Sequence, residues 1–511
     1  MIKDKVFYIL LFIFLFAIIL RFLYFPKDIY FGIDQALGSF AVKEILEGHP
    51  KIVGPPTTFP GLRHGVLYYY LYTPFYWLGG GDPSLAAAFL RVANALGVFL
   101  IFIVGAILFN KYVGIIASLL FAISFEQTQF ALYFNHPSLA VISVLIMFLG
   151  LSILIFKKSK IGFIIALLGL GLSIQLEFIL TYLIVPFLIT LICFRKSFPN
   201  INLKIFVSGL FIFLLTISSF IAAELKFNFR SVHLLPKLLF SGEPKSLVKI
   251  ISTYVFEIGQ IIKFNLTGSS EFAPFAGIIL LVLLILLSIS KIKRQAFFLQ
   301  IWFFSLLIIY IVGGGESLNV DVLQYHGNAG VSSSLIIFVS YLLWRLGKKI
   351  KFLAFLVVIL IIIANFRLIE KINPYGTMPQ LNAQSFMLLS DEIKVLDYIY
   401  QDANNKSFAV KAISLPFYIN STWSYLFEWY GNKKYGYLPI WGGKNASGYP
   451  GNLLVEDAQD KLPDKRYLII EPTRGIPEHL INDYLREENY FSDSIQEKEI
   501  GRFKVQVRFR K

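Results

Sequence analysis

The sequence predicts a mainly α-helical, polytopic membrane protein that ends in a small extracytoplasmic α/β domain. Three observations lead there. Of 511 residues, 56% are hydrophobic and only 15% are charged, where a soluble domain carries about 25% charge, so most of the chain needs lipid as its solvent. Apolar runs of near-spanning length recur from residue 6 to residue 369. Beyond residue 370 the composition turns to that of a soluble domain.

The first run, 6–25, follows Met1-Ile-Lys-Asp-Lys5. Its length of about 20 residues is enough to span, and no small-residue cleavage site follows, so it reads as a retained helix and not a signal peptide. Further runs fall near 85–109, 112–131, 138–156, 161–176, 178–194, 205–223, 271–290, 296–312, 330–346 and 352–369, eleven spans in all. With a cytoplasmic N-terminus, the short links carrying Lys111, Lys157, Lys158, Lys160, Arg195, Lys196, Lys204, Lys291, Lys293, Arg294, Arg345, Lys348, Lys349 and Lys351 all fall inside, as the positive-inside rule asks. The long links 26–84 and 224–270 then fall outside. This pattern requires a break in the apolar stretch 161–194 near Gln175-Leu176-Glu177; a single helix there would invert every later loop.

The chain therefore divides into a membrane domain, 1–369, and an extracytoplasmic domain, 370–511, at a plasma membrane. In the second domain, 408–413, 467–471 and 503–509 read as strands, and 422–430 and 477–488 as helices. The net charge of +15 belongs to lysine-rich loops against anionic lipid and does not indicate a nucleic-acid partner. The single cysteine, Cys193, excludes an internal disulfide and a cysteine-based metal site. A G-x-x-x-x-G-K-[ST] loop and an inverted repeat are both missing from the sequence, which removes the usual signs of a nucleotide enzyme and of a two-fold transporter. Asn265, Asn405, Asn420 and Asn445 each open an N-x-Ser/Thr triplet.

Chemistry concentrates in the first long link. Asp34 opens a segment, 35–47, whose Leu37, Phe40, Ala41 and Ile45 recur at helical spacing; that pattern suits a helix lying along the interface, apolar side to lipid. Asp34 is either its N-cap or a carboxylate acting as general base or metal-positioning group. Arg63 and His64 precede Gly65, and two bases beside a glycine can meet a phosphate, Arg with two parallel hydrogen bonds; Lys51 is a looser candidate. Tyr68, Tyr69, Tyr70, Tyr72, Tyr76 and Trp77 suit an interfacial aromatic belt. Glu126, Asn135 and His136 bracket the next outer turn; Glu126 and His136 form a weak divalent-metal signal. Arg91 is an intramembrane charge that needs a partner or a phosphate. Gln175 and Glu177 mark the helix break, and Glu316, Asp321 and His326 face the same side.

Gly32-Ile33-Asp34-Gln35, His64-Gly-Val-Leu-Tyr-Tyr69 and His136-Pro-Ser-Leu139, with a large first outer loop and a C-terminal extracytoplasmic module, resemble the GT-C superfamily of integral membrane glycosyltransferases. The branch of protein O-mannosyltransferases and the aminoarabinose transferases of lipid A is the most similar. The resemblance implies transfer of one sugar from a polyprenyl-phosphate donor to a glycan, lipid or protein acceptor at the outer face. It implies Asp34 and Glu126 as catalytic acids and His64 at the donor phosphate, where Arg63 and Arg91 are the further cations the residues offer. Two departures stand out: Gln35 replaces a frequent second acid, and His64 takes the place of a frequent lysine. A transporter, flippase or polymerase of lipid-linked sugars, or a non-catalytic assembly protein, remain as alternatives.

Overall fold

The computed structural model describes residues 2–57, 61–234, 246–271, 273–288, 292–312, 326–381, 384–444, 446–472 and 475–511. Glu316, Asp321, Lys291 and Asn445 lie outside the described residues. The chain forms two compact units. The first comprises Met1–Leu23, Lys51–Tyr68 and Ala88–Lys371, and the second Tyr24–Pro50, Tyr69–Ala87 and Ile372–Lys511.

The first unit is helical. Among the described residues four helices are long and apolar enough to cross a membrane: Lys5–Phe22, Pro83–Leu108, Pro137–Phe156 and Lys351–Tyr375. Two bent pairs, Lys111–Ile123 with Phe125–Leu132 and Leu203–Thr216 with Ser218–Lys226, raise the number to six. The expectation of about eleven spans is corrected here. Hydropathy runs straight through helix breaks, so one apolar run does not equal one spanning helix. Ser124 caps the second half of a run bent by 55°, and the run 296–312 splits into Lys293–Phe304 and Leu307–Val312. The apolar stretch 161–194 does break where expected: a helix ends at Leu176, Glu177 is extended, and a 3-10 turn begins at Phe178. The packed centre of this unit is the helix Pro137–Phe156 against Ile161–Leu176. Gly150 allows it, because a Cβ there would run into the backbone of Ala166.

The second unit carries a six-stranded sheet, β1 Ala409–Ile413, β2 Ile440–Gly442, β3 Leu454–Glu456, β4 Lys465–Ile470, β5 Ser492–Ile500 and β6 Phe503–Arg510, in the order β3-β2-β1-β4-β6-β5. β1 to β4 pair in parallel and β6 joins antiparallel. β1 is buried along its whole length, as a strand covered on both faces should be. The first-loop helix, Ile33–Leu46, belongs to this unit and packs on the helix Ser421–Leu426. Phe40 and Ala41 are buried, and Phe40 meets the Tyr425 ring edge-on at 5.4 Å. Its apolar side therefore faces protein, correcting the lipid-facing expectation. Lys43 pairs with Glu428 and strengthens the same contact.

Among the described residues of this unit, Asp28, Glu392, Glu471 and Glu488 are buried carboxyls, and two of them have raised pKa values. Glu471 accepts from Trp423 Nε1 at 2.8 Å, Gln384 Nε2 at 2.7 Å and the Leu415 amide at 3.1 Å, yet burial pushes it up to about 7. Neither oxygen of Glu392 finds a hydrogen bond among the described residues; burial, then the charges of Glu471 and Asp391, hold it well above the usual carboxylate range. A carboxyl with a raised folded pKa binds more protons folded than unfolded. Stability is therefore full below the unfolded value near 4.5 and lost as pH rises through the folded one. For Glu471 alone the loss between about pH 4.5 and 7 is on the order of 3 kcal/mol. Thermal unfolding of the full chain should weaken over that window. Glu392→Gln should raise Tm at pH 8 and change it little at pH 5; an unchanged pH slope contradicts this.

Candidate functional site

One buried carboxylate organises the candidate site, all of it within the first unit. Glu177 stands in the break after the helix Ile161–Leu176, where its extended backbone lets the side chain turn back along the helix end. Its Oε1 lies 3.1 Å from His64 Nδ1, and its Oε2 lies 3.2 Å from His136 Nδ1 and 3.0 Å from His326 Nδ1. The side chains of Glu177 and His136 are 2% and 5% exposed, His64 11% and His326 40%, so the cluster has a closed floor and one open side. His64 and His136 lie with ring centroids 4.1 Å apart, and Tyr68 packs on His136 at 5.5 Å.

Local sequence explains each placement. His136 precedes Pro137 at the start of its helix, where proline suits the first turn, and its amide donates to Asn135 Oδ1 at 2.8 Å. The His64 loop is pressed onto the end of the helix Ile161–Leu176 because Gly65 has no side chain; a Cβ there would collide with the side-chain and carbonyl oxygens of Gln175. His326 is held at its far nitrogen by Tyr133, whose OH lies 3.4 Å from Nε2. Tyr182 OH donates to the Gly327 carbonyl at 3.0 Å and fixes the same segment. Glu177 lies outside both neighbouring helices. Burial alone would raise its pKa, but His64, His136 and His326 together hold it well below the usual carboxylate range. His64, His136 and Glu177 each offer a donor atom within 4.8 Å of the other two.

The residues expected from the sequence are distributed as follows. His64 and His136 meet, joined by Glu177 and His326. Glu126 lies elsewhere in the unit: Asn265 Nδ2 donates to its Oε2 at 2.5 Å, and Asn265 also accepts from Ser124 Oγ at 2.6 Å. Asn365 ties this group to the start of the Phe125–Leu132 helix by accepting from the Phe125 amide at 2.8 Å. Arg91 is buried, donates from Nη1 to the Arg21 carbonyl at 2.7 Å and lies over the Phe22 ring. Arg63 is exposed on the loop beside His64. Asp34 is exposed and belongs to the second unit. It is not the N-cap: Gly32 holds that position, and its amide donates to Gln35 Oε1 at 3.0 Å. Tyr68, Tyr69, Tyr72 and Tyr76 are buried, leaving only Tyr70 and Trp77 of the aromatic run exposed, at 38% and 69%.

Sequence reasoning treated Glu177 as a turn marker and His326 as one of three loop candidates. One signal pointed at them: the chain has only 6 histidines, and three of these converge on one carboxylate.

No protein-family model matches the chain, and no curated protein matches it. Solved structures do. The undecaprenyl-phosphate-bound form of ArnT from Cupriavidus metallidurans aligns with a TM-score of 0.59 at 11% identity, covering 97% of each chain. The apo form gives 0.60 at 10% identity over the same shares. The archaeal oligosaccharyltransferase AglB from Archaeoglobus fulgidus, in complex with an inhibitory peptide and a dolichol-phosphate, aligns with 0.51 at 13% identity, over 80% of this chain. This chain spans 62% of the length of AglB. The protein thus has the GT-C fold of these membrane transferases.

Proposed function

We propose that this protein is a glycosyltransferase of the outer membrane face, moving a single sugar from a polyprenyl-phosphate donor to a glycan, lipid or protein acceptor. The observation that carries this reading is the gathering of His64, His136 and His326 on Glu177, within a fold shared over nearly the whole chain with an ArnT bound to undecaprenyl phosphate. A lipid phosphate leaving the sugar keeps its charge and must meet positive charge or N–H donors in a site poor in water. His64 and His136, which turn Nδ1 to Glu177, present Nε2 on the opposite side of their rings, where a protonated nitrogen donates to a phosphate oxygen, while His326 Nε2 is held by Tyr133. Exposed Arg63, on the same loop, supplies a second, bidentate contact.

In the reaction an acceptor hydroxyl attacks the anomeric carbon, and the bond from that carbon to the phosphate oxygen breaks. The electron pair leaves with the polyprenyl phosphate, and the hydroxyl proton passes to a base, for which Asp34 is the candidate. Glu126 and Arg91 remain candidates for supporting roles, Glu126 through Asn265 and Arg91 as a cation for the phosphate. A hexose or pentose attached through a single phosphate is the donor class proposed, with a plasma membrane as the location. The purified full chain, incubated with a panel of radiolabelled polyprenyl-phosphate sugars and a membrane extract as acceptor, should consume one donor class selectively. Arg63→Ala and His64→Ala should raise KM for that donor about tenfold or more with membrane insertion unchanged. A chain that consumes none of the panel overturns the proposal.

A further inference from the structure

We infer that a second polar cluster in the first unit, built on Tyr254, Glu257, Tyr310 and Asn328, binds the sugar ring of the lipid-linked donor. The identity of the ligand rests on the transferase reading above; the cluster and its unmet hydrogen bonds do not.

The four residues come from three elements of one unit. Tyr254 and Glu257 lie on the helix Leu247–Ile262, which packs against the short helix Leu307–Val312 that carries Tyr310. Asn328 stands in the turn before the helix Ser332–Lys349. All four are buried: Tyr254 is 7% exposed, Asn328 3%, Tyr310 2% and Glu257 1%. Asn328 Nδ2 donates to Glu257 Oε2 at 3.1 Å. The Tyr310 hydroxyl faces the same carboxylate without closing a hydrogen bond on it. The rings of Tyr254 and Tyr310 meet edge-on with centroids 6.1 Å apart, and the Phe304 ring lies 6.4 Å from that of Tyr254.

The first argument is hydrogen bonding. A buried polar atom without a partner is rare and calls for a reason. Three fall together here: among the described residues, Tyr254 OH, Tyr310 OH and Asn328 Oδ1 have no hydrogen-bond partner. Asn328 cannot relieve itself by turning its amide over, because Nδ2 must face a carboxylate that, ionised, only accepts. What is left over is one pure acceptor and two phenols that both donate and accept.

The second argument is what such a set fits. Glu257 repels an anion, and a purely apolar group would leave all three atoms unmet. A sugar hydroxyl donates and accepts at once, so it can give its hydrogen to Asn328 Oδ1 and take one from a phenol. The aromatic rings supply an apolar wall for the C–H faces of the sugar.

The third argument is location. Tyr182, in the turn that begins just after Glu177, donates to the Gly327 carbonyl at 3.0 Å. It thereby ties the base of the histidine cluster to the segment that carries both His326 and Asn328. Those two residues are at most about 7 Å apart along the backbone. A sugar joined directly to a phosphate at His64 and His136 must lie beside them, and the segment 326–328 leads from one cluster to the other.

The test measures binding and turnover by the full chain in detergent, with undecaprenyl phosphate either bare or carrying glucose, mannose, galactose or ribose. Wild type should bind one sugar-bearing form more tightly than the bare lipid. Tyr254→Phe and Tyr310→Phe keep the rings and delete one hydroxyl each. Each should weaken binding of the sugar-bearing lipid by about tenfold and leave binding of the bare lipid unchanged. Tm should stay level or rise, because an unmet buried hydroxyl has been removed. Tyr112→Phe, at an exposed position, should change neither affinity. Wild type that prefers no sugar-bearing form overturns the inference. So do phenylalanine variants that bind both lipids as wild type does, or that lose affinity for both equally; the cluster then holds water alone. Turnover separates this from the transferase reading. Wild-type donor KM in active phenylalanine variants removes the sugar site and leaves the transferase. Selective sugar binding through these tyrosines without any transfer keeps the site and removes the transferase.

Discussion

Replacing Asp34 with asparagine is expected to lower turnover by about 10²–10⁴, the contribution of a positioned general base, with the protein still folded and inserted. The structure makes the substitution more decisive than the sequence did. An N-cap would tolerate asparagine almost as well as aspartate, but Gly32 holds the cap and Gln35 serves its amide. Asp34 sits exposed in the first helical turn. There a negative charge interacts with the helix dipole, worth only about 0.3–1 kcal/mol. A purely structural Asp34 would therefore give a small fall in Tm and near-normal kcat in Asp34→Asn. A large loss of kcat with Tm almost unchanged is the catalytic signature, and near-normal turnover removes Asp34 from the mechanism.

The second large effect is expected at Glu177. Glu177→Gln keeps the shape but removes the charge facing three imidazoles, and its amide group points hydrogens where nitrogens already compete. Hydrogen bonds to a charged group contribute about 1.5–3 kcal/mol each, and two of the three imidazoles are nearly buried. We expect KM for the lipid-linked donor to rise about 100-fold, which corresponds to roughly 2.7 kcal/mol, with helix content retained. His326→Gln, at the exposed edge, should cost less than about tenfold. If Glu177→Gln leaves donor KM unchanged while the chain stays folded, the cluster does not hold the phosphate.

Much of the fold was legible because it rests on local signals. The helix around Phe40 and the break at Glu177 each follow from hydropathy, period or charge within a short window. β1, β4 and β6 showed themselves as short apolar or alternating runs. β2 and β3, of three residues each, and the charged edge strand β5 carried no such signal. The span number failed for a related reason: hydropathy records apolar length and is blind to a serine cap or a bend such as the one at Ser124. The site was legible only in parts. His64 and His136 were visible as bases near prolines and glycines, but Glu177 meets His64 and His326 across separations of 113 and 149 residues in sequence, which no local window spans. Asp34 was visible as an isolated acid, and its true position in the helix was not, because Gln35 competes for the capping role one residue away.

The most direct test of the central claim is ³¹P NMR of the purified chain with its preferred polyprenyl-phosphate sugar and acceptor in detergent. Transfer breaks the bond between sugar and phosphate, so the phosphodiester signal should decline and a phosphomonoester signal should grow in equal amount, slowly or not at all with Glu177→Gln. A protein that only moves or binds the lipid-linked sugar would leave the phosphodiester intact, and a spectrum unchanged for wild type, with a donor shown to bind, would contradict the account.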